Sequence, residues 1–382
     1  SSSSVTLNRV IGTSQSLIEG AMNANGQVFL INPNGVLFSK DAQINVGGLV
    51  ASTLNITDEN FQAGNYVFEG NSQNSIINMG TITANNGYVA MMGKSVHNEG
   101  TIVATMGNVQ MASGEKISLN LNGNSLVKLT IDQGTMDALV ENKGLIKADG
   151  GQVYLTTQAL NTILDGMVNN TGVIEAKTLN DVTGEVILFA HGGTANIAGT
   201  IDATGGFIET SGQAFSVADG TVIKAKEWLI DPADITIEST GSTSDLTASS
   251  IKASFIESTL NGGAGVTLSA TNDIFVNEAL SWNQSLLTLT AGNTINVNAA
   301  MTATGTAGVA LNYGAGGLNM AMNATKDAFT GKINIASTGS VTINTNPYTI
   351  ISDRAGLAAM ASGLSGRYVL GTGIDLSTGG DW

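Results

Sequence analysis

Apolar and polar positions alternate along most of this chain in short runs, and the runs recur. The clearest phrase, Asn-x-Gly-x-Ile-x-Ala, stands at 78–84, 98–104, 142–148 and 170–176, with shortened copies at Gly199-Thr200-Ile201 and Gly220-Thr221-Val222. A second phrase, Gly-x-Val/Ile-x-apolar, follows at Gly87, Gly107, Gly151, Gly184 and Gly206, seven residues after the first glycine in four of those five copies. Successive copies begin 20 residues apart from Gly80 to Gly100 and 21 apart from Gly199 to Gly220, with 44, 28 and 27 in between. A period near 20 combined with strict alternation marks a solenoid whose rungs are β-strands.

One rung of short strands cannot enclose a core, but stacked rungs bury a continuous one, which makes the expected fold an all-β parallel β-helix. The period-2 rule points Ile82, Ile102, Ile146, Ile174 and Ile201 inward and Thr81, Thr101, Leu145, Val173 and Thr200 outward. The glycines are expected at corners with positive φ. Asn at the same place tolerates that conformation and can hydrogen-bond along the stack to the Asn of the next rung.

Around the repeats the pattern loosens. Val5–Ile11, Gly26–Ile31, Val36–Phe38, Gly47–Thr53 and Asn65–Phe68 read as strands of a less regular opening. The 44-residue gap implies an extra coil or a hairpin protruding near 112–141, with strands Lys116–Leu121 and Leu126–Ile131 around a turn at 122–124. After Pro232, Thr-rich strands such as Ile235–Ile237, Val266–Leu268, Leu287–Leu289, Ile295–Val297 and Val341–Ile343 continue the solenoid with less regular coils. The expected division is therefore 1–230 and 231–382. One short helix is expected at 353–364, with Asp353 as N-cap and Leu357, Met360 and Leu364 at helical spacing.

Composition narrows the function classes. The chain holds 48 Gly, 3 Pro and 12% charged residues in 382, with a formal net charge of −15. So few cations cannot track phosphate, which argues against nucleic acid as a partner. No run of 18 apolar residues offers a membrane-spanning helix. The absence of Cys suits the cytosol, and equally a chain threaded unfolded through a pore.

Two stretches carry a resemblance. Asn25-Gly26-Gln27-Val28-Phe29-Leu30-Ile31-Asn32-Pro33-Asn34-Gly35-Val36, followed by Gly48-Leu49-Val50-Ala51-Ser52-Thr53-Leu54, closely resembles the secretion domain of two-partner secretion exoproteins, the filamentous-haemagglutinin type. Within that family it looks most like the high-molecular-weight adhesins and the haem–haemopexin-binding exoproteins. Gly205–Gly212 with Ala225-Lys226-Glu227-Trp228-Leu229-Ile230-Asp231-Pro232 is similar to the stretch that follows in those adhesins. The resemblance implies a right-handed β-helix, export through a cognate TpsB-type outer-membrane transporter, and a secreted or cell-surface location in a Gram-negative bacterium. It further implies that the family's domain opens several strands before Ser1, with a capping sheet absent from this chain. Asn32, Pro33, Asn34 and Gly35 match the family's secretion motif; read as residues alone they form a β-turn in which Pro fixes φ and Asn-Gly supplies positive φ.

Other candidates are weaker. His97 and His191 lack neighbours at ligand spacing and read as a rung-surface and a corner residue, so no metal or cofactor is expected. Asp231-Pro232-Ala233-Asp234 reads as a capped loop, and no Gly-x-Ser-x-Gly or calcium-loop motif supports catalysis. Trp228 and Trp282 are candidates for stacking on sugar rings, against packing under a loop. Sequons stand at Asn55, Asn169, Asn283 and Asn323. The expected protein is a monomeric, non-enzymatic adhesin that attaches to host cells, bacteria or polysaccharide. Capture of a haem-carrying host protein is the alternative, and a β-helix polysaccharide lyase or hydrolase is a remote one.

Overall fold

Strands this short satisfy their backbones only by pairing with the preceding and following pass of the chain, and that requirement builds the architecture. The computed structural model describes residues 1, 3–123, 125–160, 166–240 and 249–377, so Asn124 of the expected turn lies outside the described residues. It is all-β, its strands mostly parallel, with a few short helices. The described residues divide into two compact units, the first up to residue 226 and the second from residue 227 onward.

In the first unit the passes stack as three columns of parallel strands. One column runs through Ser75–Asn78, Ser95–Asn98, Ala138–Asn142 and Gly166–Asn170. The second runs through Thr81–Thr83, Thr101–Val103, Leu145–Lys147 and Val173–Glu175. The third runs through Tyr88–Gly93, Asn108–Ser113, Gln152–Gln158 and residues 185–191. Register pairs like with like: Ile82 with Ile102, Ile102 with Ile146, and Ile146 with Ile174. All four side chains and Ile201 are fully buried, while Thr81, Thr101, Leu145, Val173 and Thr200 are half-exposed, as alternation requires. The second unit repeats the scheme through Gly265–Ala270, Leu286–Ala291, Gly308–Tyr313 and Ser340–Ile343.

Asparagine binds the first unit's passes together. Asn78 Nδ2 donates to Asn98 Oδ1, Asn98 to Asn142 and Asn142 to Asn170, each at 2.8 Å, and Asn170 Nδ2 ends the ladder on the Ala198 carbonyl at 2.8 Å. All four amides are fully buried. The repeat glycines have a different reason from the one the turn chemistry suggested. Gly80, Gly100, Gly144 and Gly172 do not adopt the left-handed φ, although Gly199 (φ 70°) and Gly220 (φ 81°) do. A Cβ at Gly100 would meet the carbonyl oxygen of Gly80 inside 3.0 Å, and one at Gly107 would meet that of Gly87. Close approach of successive passes therefore selects glycine there. The left-handed turn falls instead just before the second glycine, at Asn86 and Met106 (φ 57° each).

The insertion forms the expected hairpin, Lys116–Asn122 with Ser125–Gln133, but it does not protrude. It joins Tyr66–Glu69 in a three-stranded antiparallel sheet laid over the outer face of the third column. Small outward residues, Ala90 and Ala112, let that sheet approach, and Ile117, Leu119, Leu126, Leu129 and Phe68 fill the layer between. Phe29 packs there edge-on against Phe61 at 5.6 Å. The expected short helix is present as Arg354–Ala359 followed by a 3-10 turn, with Asp353 capping the Gly356 N–H at 2.7 Å. Two further helices, Asp58–Gln62 and Ala253–Asn261, correct the expectation of one.

Asn98→Ala is expected to cost about 2–5 kcal/mol, because it strands Asn142 Oδ1 in the interior and leaves Asn78 Nδ2 only a long bond to the Thr101 carbonyl at 3.5 Å. Urea unfolding measures this; a loss below about 0.5 kcal/mol would mean that water replaces the ladder.

Candidate functional site

The turn at Asn32-Pro33-Asn34-Gly35 carries a dense polar network in the opening of the first unit. Asn32 follows the strand Ala21–Ile31, whose end is pinned when Asn32 N donates to the Ser52 carbonyl of the next pass at 2.9 Å. Its side chain is fully buried and fully used. Asn32 Nδ2 donates to Ser14 O at 3.0 Å and Ser16 Oγ at 2.9 Å, reaching back one pass. Asn32 Oδ1 accepts from the backbone and side-chain nitrogens of Asn34 at 2.9 and 3.0 Å. Gly35 N closes the turn on Asn32 O at 3.0 Å, with Gly35 at φ 99°. Forward along the chain, the Pro33 carbonyl accepts from Ser72 Oγ at 2.5 Å and Asn74 Nδ2 at 2.9 Å. The four residues thus tie the pass before them to the passes after. Only the Pro33 side chain is exposed, and Asn34 is half-exposed.

A second anchor lies close along the chain. Arg9 Nη1 pairs with Asp58 at 2.8 Å and Nη2 donates to Ile56 O at 2.5 Å, holding the excursion at 55–62 against the opening strand. Alternation alone did not reveal this contact, since 49 residues separate the partners.

The remaining candidates separate. Trp228 and Trp282 are buried, at 0% and 1% exposure, which leaves no ring face for a sugar; this corrects the stacking assignment in favour of packing. Asn55 and Asn283 are exposed, whereas Asn169 is half-buried and accepts from Asn196 Nδ2 at 2.8 Å. Asn323 is engaged in its own loop, donating to Asp327 Oδ1 at 2.6 Å. Asp234 caps the neighbouring turn by accepting from Asp273 N at 3.1 Å and Asn272 Nδ2 at 3.2 Å, and burial pushes the Asp231 carboxyl up from its ordinary range. His97 sits on a rung surface, 3.1 Å from Glu141 Oε2. His191 sits at a bulge and stacks on Phe189, centroids 3.8 Å apart.

Burial holds the His191 ring below the ordinary histidine range. The unfolded chain then takes up a proton at higher pH than the folded one, so this contribution to stability is complete above the unfolded value of about 6.5 and is lost progressively as pH falls from there through the lower folded value. His191→Gln is expected to flatten that part of the melting-temperature profile on the acid side of about pH 6.5. Asn32→Ala is expected to cost about 2–4 kcal/mol by leaving several buried groups unpaired, and Pro33→Ala less than about 1 kcal/mol. Urea midpoints of the two variants check the contrast.

The family model described as the TPS secretion domain matches residues 1–197. A heme/hemopexin-binding protein of Haemophilus influenzae is 36% identical over 201 residues, covering 49% of this chain and 21% of that protein. Another heme/hemopexin-binding protein of Haemophilus influenzae is 29% identical over 210 residues, covering 49% of this chain and 22% of its own. The chain thus spans about a fifth of the length of these relatives. The crystal structure of the HMW1 secretion domain from Haemophilus influenzae shares the fold, with a TM-score of 0.57 at 24% identity over 89% of this chain and 86% of that one. No helix among the described residues is long and apolar enough to cross a membrane. With more than half of its length matched, the chain belongs to the two-partner secretion (TPS) secretion-domain family, whose members are secreted exoproteins of Gram-negative bacteria.

Proposed function

We propose that this chain is the export and folding-initiation region of a longer, non-enzymatic exoprotein, wound as a right-handed parallel β-helix across 1–230 and 231–382 and passed outward by a cognate TpsB-type transporter. The Asn32 clamp carries the reading: a fully buried amide ties the pass at 12–16 to its own turn, and the turn's Pro33 carbonyl ties in the pass at 72–74. Each pass pairs only with its neighbours, so a chain emerging in order can fold in order, and the folded part resists return. Direct reading by the transporter falls to Pro33, the one exposed side chain of the motif.

Co-expression with the transporter separates the two roles. Asn32→Ala is expected to lower the exported amount about 10-fold and Pro33→Ala less than about 2-fold, as their different effects on folding imply. Equal export of Asn32→Ala and wild type would sink the folding role; a large loss for Pro33→Ala with unchanged stability would transfer the motif to transporter contact.

For the exoprotein's ligand, the 36% identity to a heme/hemopexin-binding protein favours capture of a haem-carrying host protein. Adhesion is the second reading, supported by the way the inserted hairpin lies flat on the third column instead of reaching outward for a carrier. Saturable binding of haem-loaded haemopexin by the purified protein supports capture, and binding to epithelial cells competed by sugars supports adhesion.

A further inference from the structure

The sheet laid over the third column stops one strand short of what lies beneath it. Its order is Ser125–Gln133, Lys116–Asn122, Tyr66–Glu69, so Ser125–Gln133 has a paired strand on one flank only. The other flank looks onto two clefts of about 250 and 240 Å³. Their floor is the outward face of the next passes of the column: Tyr154 on one, Ile187 and His191 on the following one, with Phe189 between these last two on the same face. These side chains are half-buried and mostly apolar, unlike the polar outward residues that alternation places on an open face.

A separate observation points to a ligand. Gln110 lines the first cleft and is 3% exposed, yet its Oε1 has no hydrogen-bond partner among the described residues. Buried acceptors are ordinarily satisfied; rotation of the Gln110 side chain, which lines the cleft, would offer this oxygen to a donor from whatever fills it.

We propose that this open strand position is a docking groove for one extended strand of another protein, apolar on alternate residues and basic on the others. Its main chain pairs with the edge of Ser125–Gln133 beyond Leu126, whose carbonyl already accepts from Asn108 Nδ2 at 2.6 Å; its apolar side chains lie on Tyr154, Ile187 and Phe189, and one of its donors reaches Gln110 Oε1. The preference for a basic strand follows from charge. Glu185 lines the groove, Glu209 stands in register with Ile187 on the following pass, and the whole chain carries −15. Lys128 is the one cation lining either cleft, and the residue across from it is therefore uncharged or acidic. A second copy fits poorly, because its own Ser125–Gln133 comes already backed by a third column, and both columns would claim the layer under the groove.

The probe is a nine-residue capped peptide of alternating valine and lysine, the length of Ser125–Gln133, added to the whole chain. Calorimetry measures affinity, and amide exchange read by mass spectrometry locates the contact. Saturation below about 1 mM is expected, with new protection on residues 125–133. Ile187→Glu is expected to weaken binding about 10-fold, as is a valine–glutamate peptide. Gln110→Leu keeps the shape and removes the acceptor; it is expected to weaken binding with the fold intact, which keeps the test decisive should Ile187→Glu misfold. Absence of saturable binding, protection elsewhere, equal affinity of both variants and wild type, or a dimer whose 125–133 amides are protected before peptide is added would each overturn the proposal.

Discussion

Everything in the first unit depends on how closely one pass of the backbone lies on the next. Parallel strands pair at about 4.8 Å, and at the corners that spacing brings main chain directly onto main chain. Glycine is the residue that fits, which is why Gly100 rests on Gly80 and Gly107 on Gly87 with no room for a Cβ. Once the corners stack, the isoleucines fall into line without further instruction, and the asparagine beside each corner meets its counterpart one pass away. The repeated phrase is thus one solution to one distance constraint.

That constraint was half legible. The alternation placed Ile82 and its counterparts correctly, and the strands near 266, 287 and 341 emerged from three-residue patterns. The role of the glycines was misread because spacing reveals that a residue recurs but not whether φ or close approach requires it. The same period-2 rule that placed the isoleucines also put Trp228 beside Ile230 and Trp282 beside Leu280 on inward faces, so the burial of both tryptophans was available in the sequence. The helix Ala253–Asn261 carried a signal too, Ile256 and Leu260 at four-residue spacing, hidden among Ser and Thr. Other contacts were not legible at all. Tyr66–Glu69 pairs with the hairpin strand about 50 residues later, and no local pattern encodes that choice.

The candidate site shows the same division. Turn chemistry explained Pro33 and Gly35, but the buried amide of Asn32 acts through Ser14, Ser16 and Asn34, and only the fold brings the two serines within reach. A motif that reads as a surface turn is mostly interior, and the proposed function therefore gives it to assembly more than to recognition. Secretion fits that role. A protein that must stay unfolded until it crosses a membrane gains from an early, local, strongly bonded passage in its opening coils, because later passes then have a template to build upon.

Native-state amide exchange on the wild-type chain and Asn32→Ala tests this most directly. If the turn anchors the opening passes and coupling is between nearest neighbours, Asn32→Ala loses protection chiefly in 5–83 while 152–217 remains close to wild type. Uniform loss along the unit, or no loss in the opening passes, would contradict the account.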